Sequence, residues 1–325
     1  MQSPFAFSDT NKRYHTYDYY LKHRYNTKCI RVPIDAGFSC PNRNADGSGG
    51  CTFCSARGSG DFCSSVQLSP EKQFEQIYSR LSEKWGKGLP AIPYFQAFSG
   101  TYAPLAHLRS IYDEAPFYKD ASGSSVRIPE IAIATRPDCL DVSNVSYLRD
   151  LSRRTGVSIT VELGLQSAKD ETLLRIRRGH TVADFLSAYR LLSDAGLSVC
   201  VHIINGLPGE TISDMIETAQ LVGALRPAFI KIHMLHILRD TLMEKEYRIG
   251  DIPLMSMEEY TDTVCQQLRY LPPQTVIARL TGDGEAGALI APLWTKNKRA
   301  VIASIDKKLA MHGIMQGDAY SASNR

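Results

Sequence analysis

Residues 29–54 read CIRVPIDAGFSCPNRNADGSGGCTFC. The first six, Cys29–Ile34, are mostly apolar and branched, the composition of a buried parallel strand. A polar loop comes next, with three cysteines, Cys40, Cys51 and Cys54, spaced C-x10-C-x2-C. In barrel-type α/β folds, sites are assembled from loops at the C-terminal ends of strands. Thiols placed directly after a strand therefore point to function. Cys51 and Cys54 can present two thiolates to one centre. Gly47, Gly49 and Gly50 give the backbone the freedom to bring Cys40 back to them. Two chemistries fit three such ligands. A structural zinc is closed by a fourth ligand, and Cys63 is a candidate nine residues after Cys54. An iron–sulfur cluster usually takes four thiolates, and one held by three leaves an iron open. Spacing alone does not choose between them.

Outward from this loop, short apolar runs alternate with longer amphipathic stretches. Strands are expected at Cys29–Ile34, Ile92–Phe98, Ile131–Thr135, Ser158–Leu163, Ser198–Ile204 and Phe229–Leu235. Helices are expected over 70–86, 104–119, 141–155, 169–195 and 211–225. Ser69-Pro70-Glu71 is a helix opening. Gly156 and Gly196 fit the position after a helix C-cap. Six strands alternating with helices argue for βαβ units and a parallel sheet, here a partial (β/α)6 TIM-like barrel. The expected division is a basic, aromatic N-terminal extension (1–27), the barrel core (28–240) and a helical C-terminal extension (241–325). That last part has helices over 256–271 and 297–312 and a frayed tail over 317–325.

Composition is that of an ordinary globular protein: 325 residues, 43% hydrophobic, 22% charged, formal net charge +3. No secretory signal pattern opens the chain. No apolar run reaches the roughly eighteen residues of a membrane span. A cytoplasmic protein with no membrane partner is the expectation. In a reducing compartment, clustered cysteines suggest metal binding or catalysis. Cys29, Cys139, Cys200 and Cys265 stand apart from the cluster and read as packing residues.

Further segments carry a resemblance: AGFSCPNR (36–43), GGCTFC (49–54), YFQAFSGTYAP (94–104), ATRPDCL (134–140), VELGLQSAKDETLLRIRRGH (161–180), HIINGLPGE (202–210), IKIHMLH (230–236) and RLTGD (279–283). With them the chain resembles the radical S-adenosylmethionine (SAM) enzymes, specifically a bacterial iron–sulfur subgroup related to the catalytic subunit of Elongator. The long gap between Cys40 and Cys51 departs from the commonest C-x3-C-x2-C spacing and looks like that subgroup's variant. The resemblance implies a [4Fe–4S] cluster on Cys40, Cys51 and Cys54, with the fourth iron chelating SAM. It places Phe53 near the adenine. Ser99, Gly100 and Thr101 would hold the methionine amino group, Gln166 and His202 the ribose, and Arg178 the methionine carboxylate. The backbone from Ile204 to Gly206 would approach the adenine. One departure is Ala134, where Elongator-like relatives often carry Glu. The implied reaction is reductive cleavage of SAM to a 5′-deoxyadenosyl radical, fed by an external low-potential electron donor.

The substrate is less legible. The likeness to Elongator implies a tRNA wobble-uridine side chain. The segment KRYHTYDYYLKHRY (12–25) interleaves basic residues with tyrosines, a composition that suits flexible nucleic acid. Substrate-side candidates are Lys231, His233, His236, Asp283 and Tyr102. Other classes remain open at this point: a zinc-stabilised RNA-binding module without catalysis, an iron–sulfur electron carrier, or a radical SAM enzyme acting on a small molecule or a protein.

Overall fold

The computed structural model describes residues 4–44, 46–282, 284 and 287–321. Its strands are β1 (Ile30–Ile34), β2 (Ala91–Phe95), β3 (Glu130–Thr135), β4 (Ser158–Gln166), β5 (Ser198–Asn205), β6 (Phe229–Met234), β7 (Ile237–Leu238), β8 (Val276–Arg279) and β9 (Leu289–Ala291). Seven of them form one sheet in the order β1-β2-β3-β4-β5-β6-β8. Every pairing in it is parallel. The sheet curls into a partial barrel. The expected fold class holds, with one strand more than the sequence showed. β8 is only four residues long and carries the mixed sequence VIAR, too short for a pattern to register. β7 and β9 pair antiparallel beside the barrel rim.

The helices are α1 (Tyr17–Tyr25), α2 (Pro70–Trp85), α3 (Leu105–Tyr112), α4 (Val142–Thr155), α5 (Asp170–Arg175), α6 (Val182–Asp194), α7 (Ile212–Leu225), α8 (Leu242–Arg248), α9 (Met257–Arg269) and α10 (Lys298–Met311). Their starts are chemically marked. The Ser69 side chain accepts from the Lys72 amide, with Pro70 in the first turn. Asp141, Thr181, Thr211 and Ser256 each form a reciprocal capping box with the residue three positions on, which satisfies amides a helix start leaves open. Gly156 closes α4 and Gly196 follows α6, both at φ 72°.

Side chains alternate across a strand, and here the two faces differ in chemistry. Along β4, Ile159, Val161, Leu163 and Leu165 join the apolar core under the helices. Glu162, Gly164 and Gln166 face the barrel interior and line its cavity. α9 and α10 contribute Tyr260, Val264, Leu268, Ile305 and Leu309 to the same apolar core.

Three expectations are corrected. The stretch 169–195 is two helices, not one. The turn between α5 and α6 carries positive φ at Arg177 (52°) and Gly179 (75°). The tail is not frayed over 317–321: the amides of Gly317 and Ala319 bond the carbonyls of Leu268 and Arg269, and the Arg226 Nε donates to the Tyr320 hydroxyl at 2.6 Å. Most tyrosines of the N-terminal segment pack inward. Tyr25 lies with Ile92 and Tyr94 in the lower barrel, and Tyr17 and Tyr20 meet Phe229 edge-on. Tyr14 is part of the main core, and Tyr19 stacks on His23. The rings of Tyr17, Tyr20 and Tyr25 plug the N-terminal mouth of the barrel, which leaves Tyr19, on the exposed His23, as the one at the surface.

This plug predicts a stability phenotype. Phe229→Ala removes the ring that holds Tyr17 and Tyr20, and the expected cost is about 3–5 kcal/mol. Urea denaturation followed by circular dichroism measures it; a loss below about 1 kcal/mol would show that α1 is not a structural plug.

Candidate functional site

The C-terminal ends of the seven parallel strands meet at one cavity of about 260 Å³. Cys40, Cys51, Phe53 and Cys54 line it from the loop after β1, and Ser99 from the loop after β2. The far walls are Glu162 and Gln166, His202 and Ile204, Lys231, His233 and His236, then Arg279 and Gly282. The cysteine loop folds back on itself as its glycines allow. The Gly50 amide bonds the Asn42 carbonyl at 2.7 Å, with φ of 81° at Gly49 and 92° at Gly50. Burial, with Cys51 nearby, pushes the Cys54 thiol up to about 11. A bound metal would supply the charge that makes such a thiol a thiolate.

The wall facing the cysteines is built by local strain. β4 bulges at Gly164/Gln166, and Gln166 takes a positive φ of 75°. A Cβ on Gly164 would lie 2.5 Å from both the Arg178 Nη2 and the Gln166 Nε2, so glycine is required there. Arg178 comes from the turn between α5 and α6. Its Nη2 donates to the Gly164 carbonyl at 3.2 Å and its Nη1 to the Cys51 Sγ at 3.6 Å. A second arginine supports it: the Arg136 Nη1 donates to the Arg178 carbonyl at 2.7 Å while pairing with Asp138. Three buried polar atoms of this region lack a partner: the Arg178 Nε, the Gln166 Oε1 and the Ser99 Oγ. Buried polar atoms are rarely left so. Their grouping beside three thiols suits a polar, zwitterionic ligand.

Beneath lies a buried ionic cluster that the sequence did not reveal. Glu162 is bonded by Arg31, by the Lys231 Nζ at 2.5 Å and by the His202 Nε2 at 2.9 Å. Burial alone would raise the Glu162 carboxyl. The charges of Arg31 and Lys231 override this and hold it well below the ordinary carboxylate range. Burial, opposed by Glu162, brings Lys231 down to about 8. Burial and the Lys231 charge lower His202 to about 4, and burial does the same to His236. Arg31 and Lys231 both sit over the Tyr94 ring, at 3.9 and 4.6 Å. Ala134, the departure noted from the resemblance, lines the cavity and pairs in register with Glu162. The neighbouring strand thus supplies a carboxylate.

The structure does not gather every anticipated residue. Gly100, Thr101 and Tyr102 are not on the cavity wall. Gly100 is wedged against Tyr112 and Ile133, Thr101 bonds Thr135 and the Cys139 carbonyl, and Tyr102 is exposed. Gly206 sits against Met255, away from the lining. Asp283 lies outside the described residues. Cys63 is not in the lining either. A tetrahedral zinc with Zn–S bonds of about 2.3 Å needs sulfurs about 3.8 Å apart. Among the described residues, no trio of cysteine sulfurs lies mutually within 4.8 Å; the one group that does is Glu162, Cys200 and His202, already saturated by Lys231 and Arg31.

Comparison with known proteins agrees with this geometry. The model of the radical SAM superfamily matches residues 40–222, and that of the radical SAM C-terminal domain matches 227–311. The chain belongs to the radical SAM superfamily. Members generally use a [4Fe–4S] cluster and SAM. Among relatives of this radical SAM protein, YtqA of Bacillus subtilis is 43% identical, covering 97% of this chain and 95% of that one. The tRNA uridine(34) acetyltransferase of Methanocaldococcus infernus is 26% identical over half of this chain and 30% of its own length. A solved structure of Elp3 from that archaeon superposes with a TM-score of 0.67 at 17% identity, over 89% of this chain and 64% of that one. That likeness is one of fold. Among the described residues, no helix is long and apolar enough to cross a membrane.

The buried histidines predict an acid-sensitive fold. His180, His202 and His236 are each lowered to about 4 from 6.5. The unfolded chain therefore binds more protons between those values, and stability falls as pH drops through that window. The expected loss is roughly 1–3 kcal/mol per histidine. Denaturation midpoints at pH 7.5 and 5 should differ accordingly, and His180→Gln should shrink the difference. Equal differences in wild type and variant would contradict a role for His180 in it.

Proposed function

We propose that the chain holds a [4Fe–4S] cluster on Cys40, Cys51 and Cys54, binds SAM against Arg178, Gln166 and Ser99, and modifies a wobble-uridine side chain of tRNA. The observation that carries the first part is the convergence of three thiols and three unpartnered polar atoms on one cavity. Together the two cofactors supply one-electron reductive cleavage of a carbon–sulfur bond. The chain's own groups do the rest. The Arg178 guanidinium, braced by Arg136, holds the SAM carboxylate. Gln166, turned inward by its positive φ, accepts from a ribose hydroxyl. Ser99 contacts the methionine amino group, and Phe53 and Ile204 supply apolar cover for the adenine. The rim of the barrel keeps bulk water from the reacting atoms. An external low-potential donor provides the electron.

The tRNA part rests on the relatives whose names carry tRNA uridine(34), which match about half of this chain. Most of the N-terminal tyrosines lend it no support, since Tyr14, Tyr17, Tyr20 and Tyr25 are packed. The RNA would meet the cavity rim instead, where Arg43 lines the opening.

The test has two arms. Anaerobically reconstituted, reduced protein is given SAM, with and without tRNA, and 5′-deoxyadenosine is quantified by mass spectrometry. Wild type should produce it and Cys54→Ala should not; an intact cluster that never yields it under either condition would sink the reaction. Nucleosides of the same tRNA are then compared for a mass change at the wobble uridine. Production of 5′-deoxyadenosine with no change in any tRNA nucleoside would retain the reaction and remove the substrate. Arg178→Ala should weaken SAM binding by about tenfold to a hundredfold, the worth of a charge-assisted bond, read by equilibrium dialysis.

A further inference from the structure

The end of the cavity formed by β6 and β8 has a chemistry of its own. In the sheet order, these strands stand at the opposite edge from β1, which carries the cysteine loop. Lys231, His233 and His236 line the cavity there. The Nε2 atoms of His233 and His236 are buried without a hydrogen-bond partner. Burial holds both rings in the neutral form, so each can offer an uncharged N–H. An unpartnered buried donor is costly and marks a place where a ligand or water belongs.

Lys231 completes the set. Its ammonium has three N–H donors; one meets Glu162 at 2.5 Å and another reaches the Tyr94 hydroxyl at 3.5 Å. Glu162 also accepts from Arg31 and His202, so one carboxylate is shared between two cations. The other buried acid of the barrel interior, Glu130, feels the Arg31 charge but not Lys231, whose ammonium meets Glu162 and Tyr94. Ala134 is the register partner of Glu162, which puts Glu130 four residues lower, about 13 Å along the strand, where it accepts from Tyr25. Asp61 lines the cavity from the cysteine-loop side, and Arg279 lines the same wall as Lys231.

We propose that this end of the cavity seats a carboxylate carried by the substrate, with Lys231 as counter-ion and His233 and His236 as neutral hydrogen-bond donors. The donors come from one strand wall, Lys231 and His233 on β6 and His236 just beyond it, and a few N–H groups set side by side suit a small, planar anion. The seat rests on this cavity being the substrate chamber, as under the proposed function. It constrains that substrate: the arm that enters the barrel ends in an acid, whether the acid belongs to a modified nucleoside or to a small molecule.

Saturation-transfer NMR on the reconstituted holoprotein with SAM tests it, using acetate as probe and acetamide as its neutral isostere. Acetate should bind saturably and acetamide should not. Lys231→Gln should weaken acetate at least tenfold, Lys231→Arg should retain most of the binding, and His236→Gln should weaken it several-fold. If Lys231→Gln does not fold, Lys231→Arg and His236→Gln decide. Inorganic phosphate is scored by competition: displacement of acetate supports the seat and widens its class to oxyanions. Equal binding of acetate and acetamide, or acetate affinity unmoved by the variants, overturns the proposal. Binding is read without turnover, so acetate bound by a protein that never cleaves SAM would refute the reaction and leave the seat standing.

Discussion

Glu162 is the carboxylate on which the barrel interior depends. It is almost fully buried, and it ties β4 to β1 through Arg31, to β5 through His202 and to β6 through Lys231. An isolated charge in that position would cost several kcal/mol. Three donors from three other strands make it tolerable. The strands are then held in one register as much by this shared acceptor as by their backbone ladders. The cluster also separates the two ends of the barrel. Below it the interior is aromatic and closed by α1. Above it the interior is polar and open.

That separation explains why one fold can be stable and reactive at once. The outer face of the sheet, with the helices, is an uninterrupted apolar core. The inner face carries few apolar groups above Glu162, and several polar ones without partners. Such atoms are a penalty to the empty protein and a gain to the liganded one. The strained positions lie in the same region: the bulge at Gly164, positive φ at Gln166 and Arg177, and the tight contact of Gly179 with Asn42 and Arg136. Strain held by surrounding structure is characteristic of sites that must aim a side chain.

The cavity is also divided along the sheet. Soft ligands and a guanidinium occupy the β1 and β4 side, suited to an iron–sulfur centre and a zwitterion. A primary ammonium and neutral imidazoles occupy the β6 and β8 side. Such different chemistries at two ends of one chamber fit a reaction in which cofactor and substrate must both be bound, and bound differently.

The sequence by itself determined the class of fold and the cysteine triad. Six strand runs alternating with helical stretches left few topologies open, and C-x10-C-x2-C after the first strand located the cysteine loop that lines the cavity. Those features are local: apolar periodicity, caps and spacing are set by neighbouring residues and survive any tertiary context. Gln166 and Arg178 were legible as candidates through the resemblance, and Lys231, His233 and His236 as polar residues on or just after a late strand. What only the tertiary structure decided is non-local. Arg31 and Glu162, 131 residues apart, form a pair that no motif announces. The break between α5 and α6 was hidden in a stretch whose helical pattern outweighed a single glycine. The tyrosines of the N-terminal segment look, in sequence, like a stacking surface for bases. Only the curl of the sheet shows that the barrel needs an aromatic plug at its lower mouth. Composition records which side chains can stack or pair, and closure of the barrel decides which partner each one meets.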